Sequence, residues 1–160
     1  MTTGERPSPS GLRRVRFLVI VALVVLTAQG WTGDFVNLFA VFSVPTDVNT
    51  YSMGWLVQAL LDSGVITVYH AFEGALLLVL SIVILALSFR STGVRSVRFA
   101  SFMATAAIIS AALGGVLFVF SGYTNNANSA QMGGSFIGAY AFYFLQLYFM
   151  KDMNGTRVPR

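Results

Sequence analysis

The sequence predicts an all-α integral membrane protein, a four-helix bundle with both termini cytoplasmic, and three observations carry that expectation. The chain of 160 residues is 56% hydrophobic and only 10% charged, whereas a soluble domain carries about 25% charged residues. Four apolar stretches have about the 20 residues that a helix needs to cross a bilayer. All ten basic residues fall into three clusters separated by connections that contain none.

The spans are expected at about 17–39, 65–89, 99–120 and 132–150, within one transmembrane domain covering 15–150. None contains a proline. Backbone groups in lipid must be satisfied within the structure, and the two-residue alternation of an outer-membrane barrel is absent, so helices are expected. Arg6, Arg13, Arg14 and Arg16 precede the first span, Arg90, Arg95 and Arg98 separate the second and third, and Lys151, Arg157 and Arg160 follow the fourth. Cytoplasmic segments hold the Lys and Arg residues, which puts both termini and the 90–98 connection inside and the 44–64 and 122–131 connections outside. The basic excess therefore marks one membrane side and is no nucleic-acid face.

Residues 1–14 read as a disordered basic cytoplasmic tail, with Pro7 and Pro9, and 151–160 as a second tail. Arg13, Arg14 and Arg16 ahead of Phe17–Leu26 look like a signal peptide or twin-arginine leader. The apolar run resumes at Phe35–Phe42 and no small-residue cleavage site follows Ala28, so a retained helix is expected. In the first outer connection, Asn49-Thr50 can cap a short helix over about 51–61, ended by Gly64, with Trp55, Leu56, Leu60 and Leu61 on an apolar side. Such a helix lies either on the membrane surface or as a lid on the bundle. Residues 121–128 read as a polar turn. Ala107, Ala111 and Gly115, and Gly134 and Gly138, recur every four residues and predict close helix packing, within the chain or between copies.

Ionisable groups inside a span are costly, so each is a functional candidate. Asp34, His70 and Glu73 are the three. His70 and Glu73 share a helix face, and Thr27, Gly30, Asp34 and Asn37 form a small-and-polar stripe leading to the same outer leaflet. Asp34 is expected to face His70. By contrast, Leu76–Leu87 reads as an almost unbroken aliphatic run, with Gln146 the main polar group deep in the fourth span. No polar path to the cytoplasm is expected, which argues against a proton channel. His70 can serve as an axial ligand of a b-type haem, with Met132 or a partner subunit's residue as the second ligand, Asp34 and Glu73 as further cofactor-binding groups, and a carboxylate or carbonyl orienting the other ring nitrogen. Alternatively, Trp31, Tyr69, His70 and Glu73 can bind a quinone or a lipid headgroup.

Cysteine is absent, which excludes thiolate metal sites and disulfides. A single histidine excludes any site that needs two from one chain. Hydrolase, nucleotide-loop, dinucleotide and metalloprotease motifs are absent, so catalysis is not expected. A non-catalytic accessory or assembly subunit of a larger membrane complex is the competing reading.

A loose two-fold repeat adds to this. Val15-Arg16-Phe17 is echoed by Val97-Arg98-Phe99, Gln29-Gly30 by Leu113-Gly114-Gly115, and His70-Ala71-Phe72-Glu73-Gly74 by Gln131-Met132-Gly133-Gly134. The layout resembles one four-helix half of the haem A synthase family, and small four-helix membrane proteins with a His-x-x-x-Gly second helix. The resemblance implies a prokaryotic cell membrane and haem binding through His70. The family's second histidine has no counterpart here, since Gln131 or Met132 stands in its place, and its acidic catalytic motif is not recognisable.

Overall fold

The computed structural model describes residues 9–44 and 52–151, and all five elements among them are helices. These are α1 (Pro9–Phe39), α2 (Met53–Asp62), α3 (Val65–Ser91), α4 (Arg95–Phe120) and α5 (Asn126–Lys151). Three of them, α1 from Ser10 together with α3 and α4, are long and apolar enough to cross a membrane. The fourth long helix, α5, is 26 residues but carries Asn126, Asn128, Ser129, Gln131 and Ser135 in its first half, which lower its apolar character.

Helix ends depart from the expected boundaries for local reasons. Pro9 opens α1, a residue suited to the first helical position because its missing N–H is unpaired there anyway. Residues 9–14 are therefore helical rather than a tail, while 1–8 and 152–160 lie outside the described residues. The short helix is present, but its cap is Ser52, whose hydroxyl accepts from Trp55 N at 3.0 Å; Asn49-Thr50 lie outside the described residues. Gly64, at φ +93°, links α2 to α3, a conformation that favours glycine. α5 starts at Asn126 and not near Met132, because Asn125 caps it through Oδ1, which accepts from Ala127 N at 3.0 Å.

The long helices pack pairwise as α1 with α3, α3 with α4, α4 with α5 and α5 with α1, leaving α3 and α5 diagonal. The α4–α5 seam is the most extensive. At Gly114 a Cβ would stand 3.1 Å from the Asn128 carbonyl oxygen and 3.3 Å from Met132 N, so a side chain there would push the α5 backbone outward by a few tenths of an ångström. Gly138 faces Ala107 across the same seam, and Ser135 Oγ donates to Ser110 Oγ at 2.9 Å. The expected small-residue faces thus pack within the chain, except at Gly134, where the space is open.

Helix α2 packs as a lid across the ends of α3 and α4. Trp55 is 1% exposed and stacks on Phe120, with ring centroids 5.8 Å apart. Tyr123, at φ +62°, reaches back from the α4–α5 turn, donating to Ala59 O at 3.1 Å and lying 3.0 Å from Ser63 Oγ. Phe42 stacks on the Tyr123 ring at 4.2 Å. These contacts hold a non-glycine residue in the left-handed region, which costs about 1 kcal/mol or more on its own.

Large apolar side chains cover the outside of the bundle as well as filling its interior. Phe17, Val24, Trp31, Phe72, Val79, Phe99 and Ile137 are each more than half exposed, while Ser81, Ser88, Ser101 and Gln146 are wholly buried. An apolar outside is what lipid accepts, and the interior mixes buried Val, Leu and Ile with these serines and Gln146, since lipid provides no hydrophobic drive of its own to bury the aliphatic side chains.

Candidate functional site

The α1–α3 seam holds a continuous hydrogen-bonded chain near the α2 end. His70 Nε2 lies 3.2 Å from Gln29 Nε2, and His70 Nδ1 lies 3.0 Å from Thr32 Oγ1. Thr32 Oγ1 donates to Glu73 Oε2 at 2.7 Å. Glu73 itself is 5% exposed. The seam is close because Gly33 faces the imidazole, and a Cβ there would stand 3.1 Å from His70 Cε1.

Proton counting gives this chain one direction. Thr32 has a single hydroxyl proton, and its shortest contact is to Glu73. With that proton committed, Nδ1 of His70 carries the ring proton and donates to Thr32, and Nε2 accepts from the Gln29 amide. With the Gln29 amide nitrogen toward the ring, the order of donation is Gln29 to His70 to Thr32 to Glu73. Gln29 Oε1 is the one buried polar atom of the group that has no partner.

His70 and Glu73 are thus brought together, as their three-residue spacing predicts, but through Thr32 and not directly. Gln29 and Thr32 are the residues that sequence reasoning undervalued. Their i, i+3 spacing with the following Gly33 was the available signal, since it places two hydrogen-bonding groups and a gap on one face of α1.

Asp34 does not join them. It lies one residue, and so about 100° of helix rotation, beyond Gly33. The stripe Thr27–Gly30–Asp34 faces α5 and not α3, lining an open cleft of about 470 Å³ with Trp31, Phe136 and Tyr140. At the cleft base Thr27 Oγ1 donates to Leu23 O at 2.9 Å and accepts from Tyr140 OH at 3.0 Å. Trp31 is 71% exposed on the cleft rim. Tyr69 points outward from α3 and is more than half exposed. Met132 belongs to the α4–α5 seam, where its Sδ lies 3.4 Å from the position of a Cβ on Gly115.

This arrangement does not fit a haem. Both ring nitrogens of His70 are engaged within the chain, and Gly33 lies directly against the ring. Met132 sits on the helix diagonal to α3. Among the described residues no three His, Cys, Asp or Glu side chains gather in a way that suits a metal ion.

The half of the bundle toward the Arg90–Arg98 connection also differs from the expected aliphatic run. Ser81, Ser88, Ser101, Thr105 and Gln146 are all buried at the interior of the end that carries Arg90, Arg95 and Arg98. Ser81 Oγ bonds Leu78 O at 2.8 Å, and Thr105 Oγ1 lies 3.0 Å from Ser101 O and 3.2 Å from Ser81 O. Hydroxyls that bond back to the preceding turn satisfy themselves locally, so they sit in aliphatic sequence without interrupting it.

Compared with known protein families, curated proteins and solved structures, the chain matches none. The likeness to a haem A synthase half therefore rests on His70, Gly74 and the loose repeat alone.

Proposed function

We propose that the chain is a four-span integral membrane bundle, termini inside, that binds an ammonium-bearing lipid headgroup of the outer leaflet in the α1–α5 cleft. The observation that carries this reading is the Asp34 carboxylate set beside the exposed Trp31 and the Phe136 and Tyr140 rings in one open cleft. A carboxylate with an aromatic face is the chemistry that recognises an ammonium group, with cation–π attraction worth about 0.5–2 kcal/mol. The apolar walls, Ile137 and Ala141, suit the adjoining acyl chains. Spans α1, α3 and α4 are supported by their length and apolar character. The fourth, α5, is supported by its packing against α4 and α1, and the orientation by the basic clusters. The His70–Glu73 chain behind the cleft acts in this reading as the clasp that holds α1 against α3.

The test is lipid retention. Protein reconstituted in vesicles of phosphatidylethanolamine and phosphatidylglycerol, then released in mild detergent, is expected to keep phosphatidylethanolamine in native mass spectra. Asp34→Asn and Trp31→Ala should lose it. An identical lipid profile in the wild type and both variants would sink the reading. An absorption spectrum of the same sample is expected to be colourless, and a Soret band that vanishes in His70→Ala would replace the lipid reading by the haem one.

A second reading has one observation of its own. Gly133 and Gly134 have open space where a side chain would stand, so another helix can approach α5 closely. There the chain acts as an accessory subunit or a homo-oligomer, and the masses in the same native spectra distinguish these from a monomer.

A further inference from the structure

The inner half of the interior contains three polar atoms without partners, on three wholly buried residues. They are Ser101 Oγ, Tyr143 OH and Gln146 Oε1, and none of the three residues has any exposed surface. In lipid an unpaired buried polar group has no water to turn to and costs several kcal/mol. Three at one level of the bundle require an explanation.

Helix register puts them in one layer. α3 and α4 run antiparallel with Ser81 opposite Thr105, whose atoms meet at 3.2 Å. α4 and α5 run antiparallel with Ser110 opposite Ser135 and Ala107 opposite Gly138. Counting along these registers, Ser88 lies level with Arg98, Gln146 with Phe99 and Tyr143 with Phe102, all within about one helical turn of Ser101. The one direct bond in the layer confirms the count: Gln146 Nε2 donates to Ser88 Oγ at 3.0 Å.

We propose that this layer is a water-binding site, in which buried water is held by Ser101, Tyr143 and Gln146, with Ser88 fixing the Gln146 amide. The lining determines the occupant. Two hydroxyls that both donate and accept, and one carbonyl oxygen that accepts, suit a molecule that itself does both. A metal cation finds no carboxylate among these side chains, and the Arg98 guanidinium on the level of Ser88 is turned to the backbone, its Nε donating to Thr92 O at 2.7 Å. Leu26 and Leu77, both buried between this layer and Glu73, keep the water apart from the outer hydrogen-bonded chain. The proposal stands independently of the lipid cleft, which lies on another seam.

The sign of two substitutions tests it. In full-length protein in detergent, Tyr143→Phe and Ser101→Ala are each expected to lower the unfolding temperature by a few degrees, because bound water loses a partner. If the layer is dry, each change deletes an orphaned polar atom and the temperature rises or stays level, which overturns the proposal. Direct labelling separates water loss from altered packing. Under X-ray radiolysis in water enriched in oxygen-18, Tyr143 is expected to take up label at a rate comparable with exposed Tyr148 on the same helix. Labelling of Tyr148 with none at Tyr143 would overturn the site.

Discussion

Helix α1 presents two polar faces that differ in how completely they are used. Toward α3, Gln29, Thr32 and Gly33 close on His70 and Glu73, and nearly every polar atom is bonded within the chain. Toward α5, Thr27, Gly30 and Asp34 line a cleft that stays open to the outside. Side chains of similar polarity, a few residues apart, thus do opposite things. The histidine is bonded at both ring nitrogens between two helices, while the aspartate lines the open cleft.

The largest expected effect breaks the closed face. Thr32→Val removes the hydroxyl that joins His70 to Glu73 and leaves both without it, which should cost on the order of 2 kcal/mol, read as a lower midpoint in denaturant unfolding of the detergent-solubilised protein. Asp34→Asn, on the open face, should leave that midpoint unchanged while abolishing lipid retention. Equal destabilisation by the two would erase the contrast.

The two glycines sharpen it next. A Cβ at Gly33 and one at Gly30 would each stand 3.1 Å from a ring atom, of His70 and of Phe136 respectively. His70 is held at both nitrogens and cannot yield, whereas Phe136 borders the cleft and can swing into it. Gly33→Ala should therefore destabilise. Gly30→Ala should be neutral or stabilising by up to about 1 kcal/mol, the helix-propensity gain of alanine over glycine. The same unfolding assay reads both.

A smaller effect belongs to Tyr140→Phe, which breaks the bond to Thr27 at the cleft base. Hydrogen bonds between membrane helices average about 0.6 kcal/mol, and Thr27 keeps its own backbone partner, so the midpoint should move by no more than that.

The lid gives a pH dependence outside the spans. Burial, and more weakly the nearby Asp62 carboxylate, push the Tyr123 phenol above its ordinary value of 10.0, against the opposing hydrogen bond from Ser63. The folded state then holds a proton that the unfolded state releases, so stability is level below pH 10 and falls as pH rises above it. Tyr123→Phe should flatten that fall in an alkaline unfolding series; an unchanged slope would remove Tyr123 as its source.

How much of this was legible depends on what each residue bonds to. Long apolar runs and the grouping of arginines need no tertiary information, so α1, α3 and α4 were readable, as was the sharing of one face by His70 and Glu73. The direction of Asp34 was not, because a stripe on a helix does not say which neighbour it meets, and one residue of rotation moved it from α3 to α5. The start of α5 was hidden because its first two turns are polar yet helical, capped by Asn125. The buried polar layer was hidden because Ser81 and Ser88 stand singly among leucines and isoleucines, and only the packing of three helices gathers them with Ser101, Tyr143 and Gln146.

The length of α1 has a mechanical consequence. Its 31 residues span about 46 Å, half again the roughly 30 Å hydrocarbon thickness of a bilayer. The excess at its start carries Arg13, Arg14 and Arg16, with Gly11 pressed against Ser91 so that this overhang is braced by α3. Guanidinium groups on a braced stalk can stay with lipid phosphates as the bilayer thins or thickens, while the helix adjusts by tilting. Hydrophobic mismatch would then register as rotation of α1 about that braced end, and its far end is the wall of the α1–α5 cleft.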